Sequence, residues 1–231
     1  MTVADMHIQF KVGLDKSDTF SNPNFEPEEI DLWLNKAQEK FIKSRYSHDV
    51  KRETFEETQK RTDDLREVIT EVAQPPSAIQ VPVKPNGILF DLPSGNTAQP
   101  IYWFAINEEC KVVYQNCNDS YIEERRRVKP IQHDDYNKII SDPFNKPSRN
   151  KVVRLMHGDK AELITDGTFE IQEYYLRYIK RPVDISLADS VDCELADHTH
   201  TEIVNFAVGM ALENTMDPRF QTHMVEAISQ E

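Results

Sequence analysis

Residues 198 to 202 read His198-x-His200-x-Glu202, three side chains of metal-ligand type at alternate positions. Two imidazoles and a carboxylate are the parts of a zinc site that activates water, so a metal-dependent hydrolase is one reading of this stretch. Spacing argues against it. In a helix, His198 and Glu202 are four apart and share a face, while His200 lies roughly opposite. A strand would align all three, but the run that follows (Ile203, Val204, Phe206, Ala207, Val208, Met210, Ala211 and Leu212) is helical in spacing. The better account is a helix start. Thr199 and Glu202 form a T-x-x-E capping box, and Asp197 adds negative charge near the same end.

His133-Asp134-Asp135 is a second apparent site, and His133 joins the hydrolase reading as a possible ligand. It also precedes a short apolar run, Tyr136, Ile139 and Ile140, so an N-terminal cap explains it. His157 stands beside Gly158-Asp159 at a turn. No serine lies in a G-x-S-x-G elbow, and the 6 glycines include no phosphate-cradling loop. Cys110, Cys117 and Cys193 form no C-x-x-C pair and read as reduced thiols. The assignment is no catalytic residue, no cofactor and no metal.

Charge bears on partners. With 40 acidic against 27 basic residues the chain carries a formal −13, which opposes a grip on nucleic acid but not a surface that DNA slides past. The only dense basic run, Arg125, Arg126 and Arg127 with Lys129, is nearly neutralised by Glu123 and Glu124. Alternating Glu and Arg on a strand pair with neighbouring strands or with an adjacent subunit, and a solvated strand face is an equal reading. The opening MTVADMHIQFKVGLDK has no long apolar core, so neither a signal peptide nor a membrane anchor is expected.

The elements follow from periodicity. Phe25 to Tyr46 is a helix, with Pro27 at its first position, acids at its start, and Ile30, Trp33, Leu34, Ala37 and Phe41 on one stripe. A second helix is expected from about Thr54 to Val72, packed on the first as an antiparallel hairpin. Its narrow seam (Phe55, Thr58, Thr62, Leu65, Ile69, Val72) is a candidate contact with another subunit. Pro75-Pro76 ends the helical part. A hairpin is then expected from Ile79/Val81/Val83 and Ile88/Phe90/Leu92 around Asn86-Gly87, with Pro82 moving the first strand to an edge. The stretch PIYWFAINEECKVVYQN is β-prone with an Asn-Glu-Glu turn inside it, SYIEERRRVKPIQ is a strand, and HDDYNKIISDP a short helix. A further hairpin pairs KVVRLMHGDKAELIT with FEIQEYYLRYIKRP around Asp166-Gly167, placing Leu163, Phe169, Ile171 and Tyr175 on one face. A buried helix, Thr199 to Asn214, closes the chain.

The fold class is α+β: an N-terminal helical hairpin and a C-terminal helix forming a bundle, with an inserted, mostly antiparallel β region. The expected divisions are 1–24, an N-terminal extension; 25–74, the helical hairpin; 75–182, the β-rich region; 183–217, an acidic loop and C-terminal helix; and 218–231, a tail. In the tail, Phe220, Met224, Val225 and Ile228 are candidates for docking on a partner.

Several of these segments together, FEPEEIDLWLNKAQEKFIKSRY, QKRTDDLR, YYLRYIKRPVDIS and CELADHTHTEIVNFAVGMALENTMDPRFQT, resemble a neck protein of the crAss-like bacteriophages. More distantly, the layout is similar to the head–tail adaptor, or tail tubular A, proteins of short-tailed phages. The resemblance spans about residues 5 to 222 and rests on packing patterns. It implies a virion structural protein in the neck between capsid and tail, made in the host cytoplasm. Such a subunit would form a homododecameric ring, contact the portal protein and further neck or tail rings, and let genomic DNA pass without specific binding. No membrane is involved. The competing readings are the hydrolase above and a non-virion phage protein that binds a host factor.

Overall fold

The computed structural model describes residues 1–14, 25–46, 55–95, 99–115 and 120–214, with side chains described from residue 59 in the third helix. It is mixed α+β and divides into two compact units: Met1–Val68 with the segment from Pro182, and Ile69–Arg181.

The first unit is helical. Helix α1 (Val3–Leu14) buries Val3, Met6, His7, Phe10 and Leu14. It occupies what the sequence suggested was an extension. Helix α2 (Pro27–Tyr46) buries the expected stripe, Ile30, Leu34, Ala37 and Phe41, together with Ile42; Trp33 is half-buried. Helix α5 (His200–Asn214) packs on α1 and α2, burying Ile203, Val204, Ala207, Val208, Gly209, Ala211 and Leu212. At its crossing with α1 the backbones come close enough that a Cβ on Gly13 would meet Val208 Cγ2 at 2.9 Å.

A polar ladder on α2 fixes the segment that leads into α5. Asp31 accepts from the N–H of Leu187 (3.1 Å). The Asn35 carboxamide accepts from Ile185 N (2.7 Å) and donates to its carbonyl (3.0 Å). Gln38 donates to the carbonyl of Val183 (3.3 Å). Spacings of four and three place the three side chains on one face of the helix.

Helix α3 is shorter than expected, Phe55–Leu65, followed by a 3₁₀ turn over Arg66–Val68. Ile69 and Val72 belong instead to strand β1 (Ile69–Gln74). The β-branched run Ile-Thr-Glu-Val favours a pleated strand, and an antiparallel partner is available, Ile69 facing Ile179. An antiparallel hairpin would lay the start of α3 along the end of α2. The described contact differs: Arg45, near the end of α2, meets Asp64 in the last turn of α3.

The second unit is a curled seven-stranded sheet in the order β1-β7-β3-β4-β5-β6-β2, where β2 is Gly87–Asp91, β3 Tyr102–Gln115, β4 Tyr121–Pro130, β5 Val152–His157, β6 Lys160–Ile164 and β7 Glu170–Lys180. All pairings are antiparallel except β4 with β5. A bridge between Pro76 and Phe90 brings the two ends of the sheet together. The concave side holds Phe90, Cys110, Val112, Val152, Leu163, Ile171, Tyr174 and Leu176. Helix α4 (Tyr136–Ser141) follows a 3₁₀ turn at His133–Asp135.

Four expectations for this unit are corrected. The hairpin around Asn86-Gly87 does not form, because β2 pairs with β6 and residues 78–83 form no strand. Nor do β6 and β7 pair across Asp166-Gly167; β5 and β6 make the hairpin, turning at Gly158-Asp159, while β7 joins β1 and β3. No turn interrupts β3, which runs through Asn107-Glu108-Glu109. Finally, Tyr175 leaves the core face and Tyr174 enters it, since Lys111 pairs with Glu173 and Val112 with Ile171. That register leaves Gln172 as an extra, bulged residue that reverses the alternation.

Candidate functional site

The three residues of the histidine segment diverge. His198 Nε2 lies 2.8 Å from Asp64 Oδ1, His200 Nε2 lies 2.8 Å from the carbonyl of Leu195, and Glu202 accepts from Arg45 Nη2 at 2.5 Å. Both residues of the expected capping box have other partners. Thr199 is buried and donates its hydroxyl back to the Ala196 carbonyl at 2.8 Å, while Arg45 draws Glu202 away from the helix end. Among the described residues no three His, Cys, Asp or Glu side chains converge as metal ligands would.

These contacts form a polar knot joining three helices. The Asp64 side chain is 1% exposed and stands 3.1 Å from Arg45 Nε on α2, and Arg45 continues to Glu202 on α5. The charges lock the ends of α2, α3 and α5 to one another.

His133 also has a structural partner, the carbonyl of Met156, 2.8 Å from its Nε2. The cap expected there is replaced, since neither Gln132 nor Asp135 makes a side-chain capping bond. Next to it, His157 Nε2 is 2.7 Å from Glu162 Oε2, and the fully buried Glu162 accepts the backbone N–H of Lys84 at 2.7 Å. Gly87 is required here, because a Cβ would lie 2.3 Å from Glu162 Oε1.

Sequence reasoning missed a buried ion pair inside the sheet. Glu108 on β3 accepts from Arg154 Nε on β5 at 2.8 Å, a second bond runs from Arg154 Nη2, and Tyr174 OH donates to the same carboxylate at 2.9 Å. Burial and the neighbouring Glu108 charge push the Tyr174 hydroxyl well above its usual range. The signal was parity: Glu108 shares the inward positions of Cys110 and Val112, and Arg154 that of Val152.

The residues proposed for subunit contact are spread over both units. The side chains of Phe55 and Thr58 lie outside the described residues, as do Phe220, Met224, Val225 and Ile228. Thr62 is exposed, Leu65 is 6% exposed, and Ile69 is half-buried on β1. On β4, Arg125 lies over the Tyr175 ring at 4.0 Å, Arg126 pairs with Glu124 on its own strand, and Arg127 faces Glu109. Lys111 pairs with Glu123 at 2.7 Å, and that carboxylate holds the ammonium above its usual range. Arg177 bonds Glu71 at 2.6 Å. The strand charges are thus largely matched within the sheet, as the Glu/Arg alternation suggested.

Comparison with known proteins adds what geometry does not carry. The family described as phage tail ring protein 3/4 matches residues 1–217. A relative named Ring protein 3, from Bacteroides phage crAss001, is 26% identical over 231 residues, covering 92% of this chain and 95% of the relative. Another from the same phage, named Ring protein 4/5, is 24% identical over 234 residues, covering 91% of this chain and 92% of the relative.

Proposed function

We propose a detailed role in the virion neck from a plain premise: the chain belongs to the phage tail ring protein 3/4 family. It is a structural ring component of a bacteriophage virion, not an enzyme. The finer reading is ours. The chain is one subunit of a homododecameric ring between the portal protein and the tail. The ring extends the DNA channel, helps to retain packaged DNA, and gives further neck or tail rings a platform.

One observation carries this reading, the family match over residues 1–217, which spans both compact units. Physical features support it. A net charge of −13 suits a conduit that DNA crosses without binding, because the summed charge repels phosphate. Polar clusters that would otherwise suggest chemistry, around Asp64, Glu108 and Glu162, are absorbed in holding helices and strands together. On this reading, acidic side chains line the lumen. Exposed members of the earlier set, Thr62, Arg125 and Arg127, remain candidates for subunit contact, along with Phe55, Thr58 and Arg126. The tail from Phe220 to Ile228 remains a candidate for docking on the portal or tail.

Image reconstruction of necks released from virions tests the proposal. It predicts a twelvefold layer built from this chain, next to the portal and with an acidic lumen. A basic lumen, or a neck without this chain, would overturn it.

A further inference from the structure

Residues 77–84 run beside β2, and residues 78–83 are all exposed. Ile79, Val81 and Val83, at alternate positions, are 68%, 70% and 65% exposed, more than any other large aliphatic residue among those described. The intervening Gln80 is tied to the sheet. Its carboxamide donates to the carbonyls of Leu89 and Ser77, both at 2.8 Å, and accepts the Leu89 N–H at 2.9 Å. A side-chain amide thus takes the Leu89 N–H that a neighbouring strand would otherwise pair. Ser77 adds its own N–H to the Leu89 carbonyl at 2.8 Å, and Lys84 N–H is held by Glu162 at 2.7 Å.

The consequence is a segment anchored at three points that presents its apolar side chains outward. An exposed apolar row held in place, and not merely left loose, marks a contact surface. Its charge points to the occupant. Gln74 to Val83 contains no charged residue, in a chain where 29% of residues are charged and the net charge is −13. Identical acidic copies repel wherever their charged surfaces approach, so an uncharged apolar strip is where they can meet. Closing a ring also needs two unlike, complementary patches on each copy.

We propose that the Ile79–Val81–Val83 row is one half of the contact between successive copies of this chain in the ring. The inference rests on the ring reading above. The second copy lays an apolar surface over the row, and the Gln80 anchor keeps the row in register.

The test places a photo-crosslinking residue, p-benzoylphenylalanine, at position 81 of the full chain. This chain is supplied in infected cells beside the unsubstituted one, so that each ring carries few probes. Virions are then purified and irradiated. The expected result is a covalent dimer of this chain, with the attachment peptide mapped by mass spectrometry. Crosslinks at position 81 only to a different virion protein, or none from a probe-bearing chain present in virions, would overturn the proposal while leaving the ring reading intact. Absence of the unsubstituted chain from virions would instead overturn the ring reading itself.

Discussion

Glu108 and Arg154 meet across the concave side of the sheet, although their strands β3 and β5 are separated by β4. Tyr174 on β7 closes the arrangement on the same carboxylate. Three strands that share no single hairpin are therefore tied at one point.

Breaking this pair by removing one partner leaves a buried charge alone. Arg154→Met should lower unfolding stability by about 3–5 kcal/mol, and Glu108→Leu by a similar amount. The double variant should recover much of that loss, because apolar groups replace both charges. Urea titrations of the three variants measure the difference. A double variant as unstable as the sum of the singles would show that the pair's geometry, not its uncompensated charge, carries the cost.

The knot at Asp64 gives a graded pair of expectations. Asp64 is enclosed and serves both Arg45 and His198, so Asp64→Ala should cost about 2–4 kcal/mol. The His198 side chain is 56% exposed, so His198→Ala should cost less than about 1 kcal/mol. Thermal unfolding followed by circular dichroism would rank them, and the reverse order would contradict the assignment of Asp64 as the hub.

Burial pushes the Cys110 thiol up to about 12, with the Glu109 charge adding to it, and the Cys193 thiol up to about 11. Both stay protonated at pH 8, where the thiolate is the reactive form. Ellman's reagent at that pH should leave these two silent until denaturant is added. Prompt reaction at either would contradict their enclosure. The sign for stability follows. An unfolded chain loses these protons near pH 9 while the folded one keeps them, so their contribution to stability falls as pH rises from about 9 towards 12.

Gly87→Ala should destabilise the sheet by about 1–3 kcal/mol, since its new Cβ collides with the buried Glu162 carboxylate. Gly158→Ala, whose Cβ would meet open space, should lose only the strain of its positive φ. Comparing the two unfolding midpoints separates crowding from backbone strain.

Local periodicity was readable where one face is buried along a whole element. Ile30, Leu34, Ala37 and Phe41 mark α2, and Ile203 to Leu212 mark α5, because the period of 3.6 appears directly in the residues. Helix α1 escaped notice although Met6, Phe10 and Leu14 carry the same period, since the stripe is short and includes His7, whose partner Asp31 lies on another helix. Pairing was less legible. Gly158-Asp159 and Asp166-Gly167 are both plausible hairpin turns, and which one closes a hairpin depends on strands far away in sequence. The row at Ile79 alternated as a half-buried strand would, but alternation does not say which side faces the sheet. For the same reason the polar groups that matter most, Glu108 with Arg154 and Asp64 with Arg45, left no local motif.

The central claim is that this chain is a ring subunit of the virion neck, and gold-labelled antibody on intact virions tests it most directly by electron microscopy. The account predicts label confined to the junction of capsid and tail. Virions whose necks are open to antibody yet carry no gold there would contradict it.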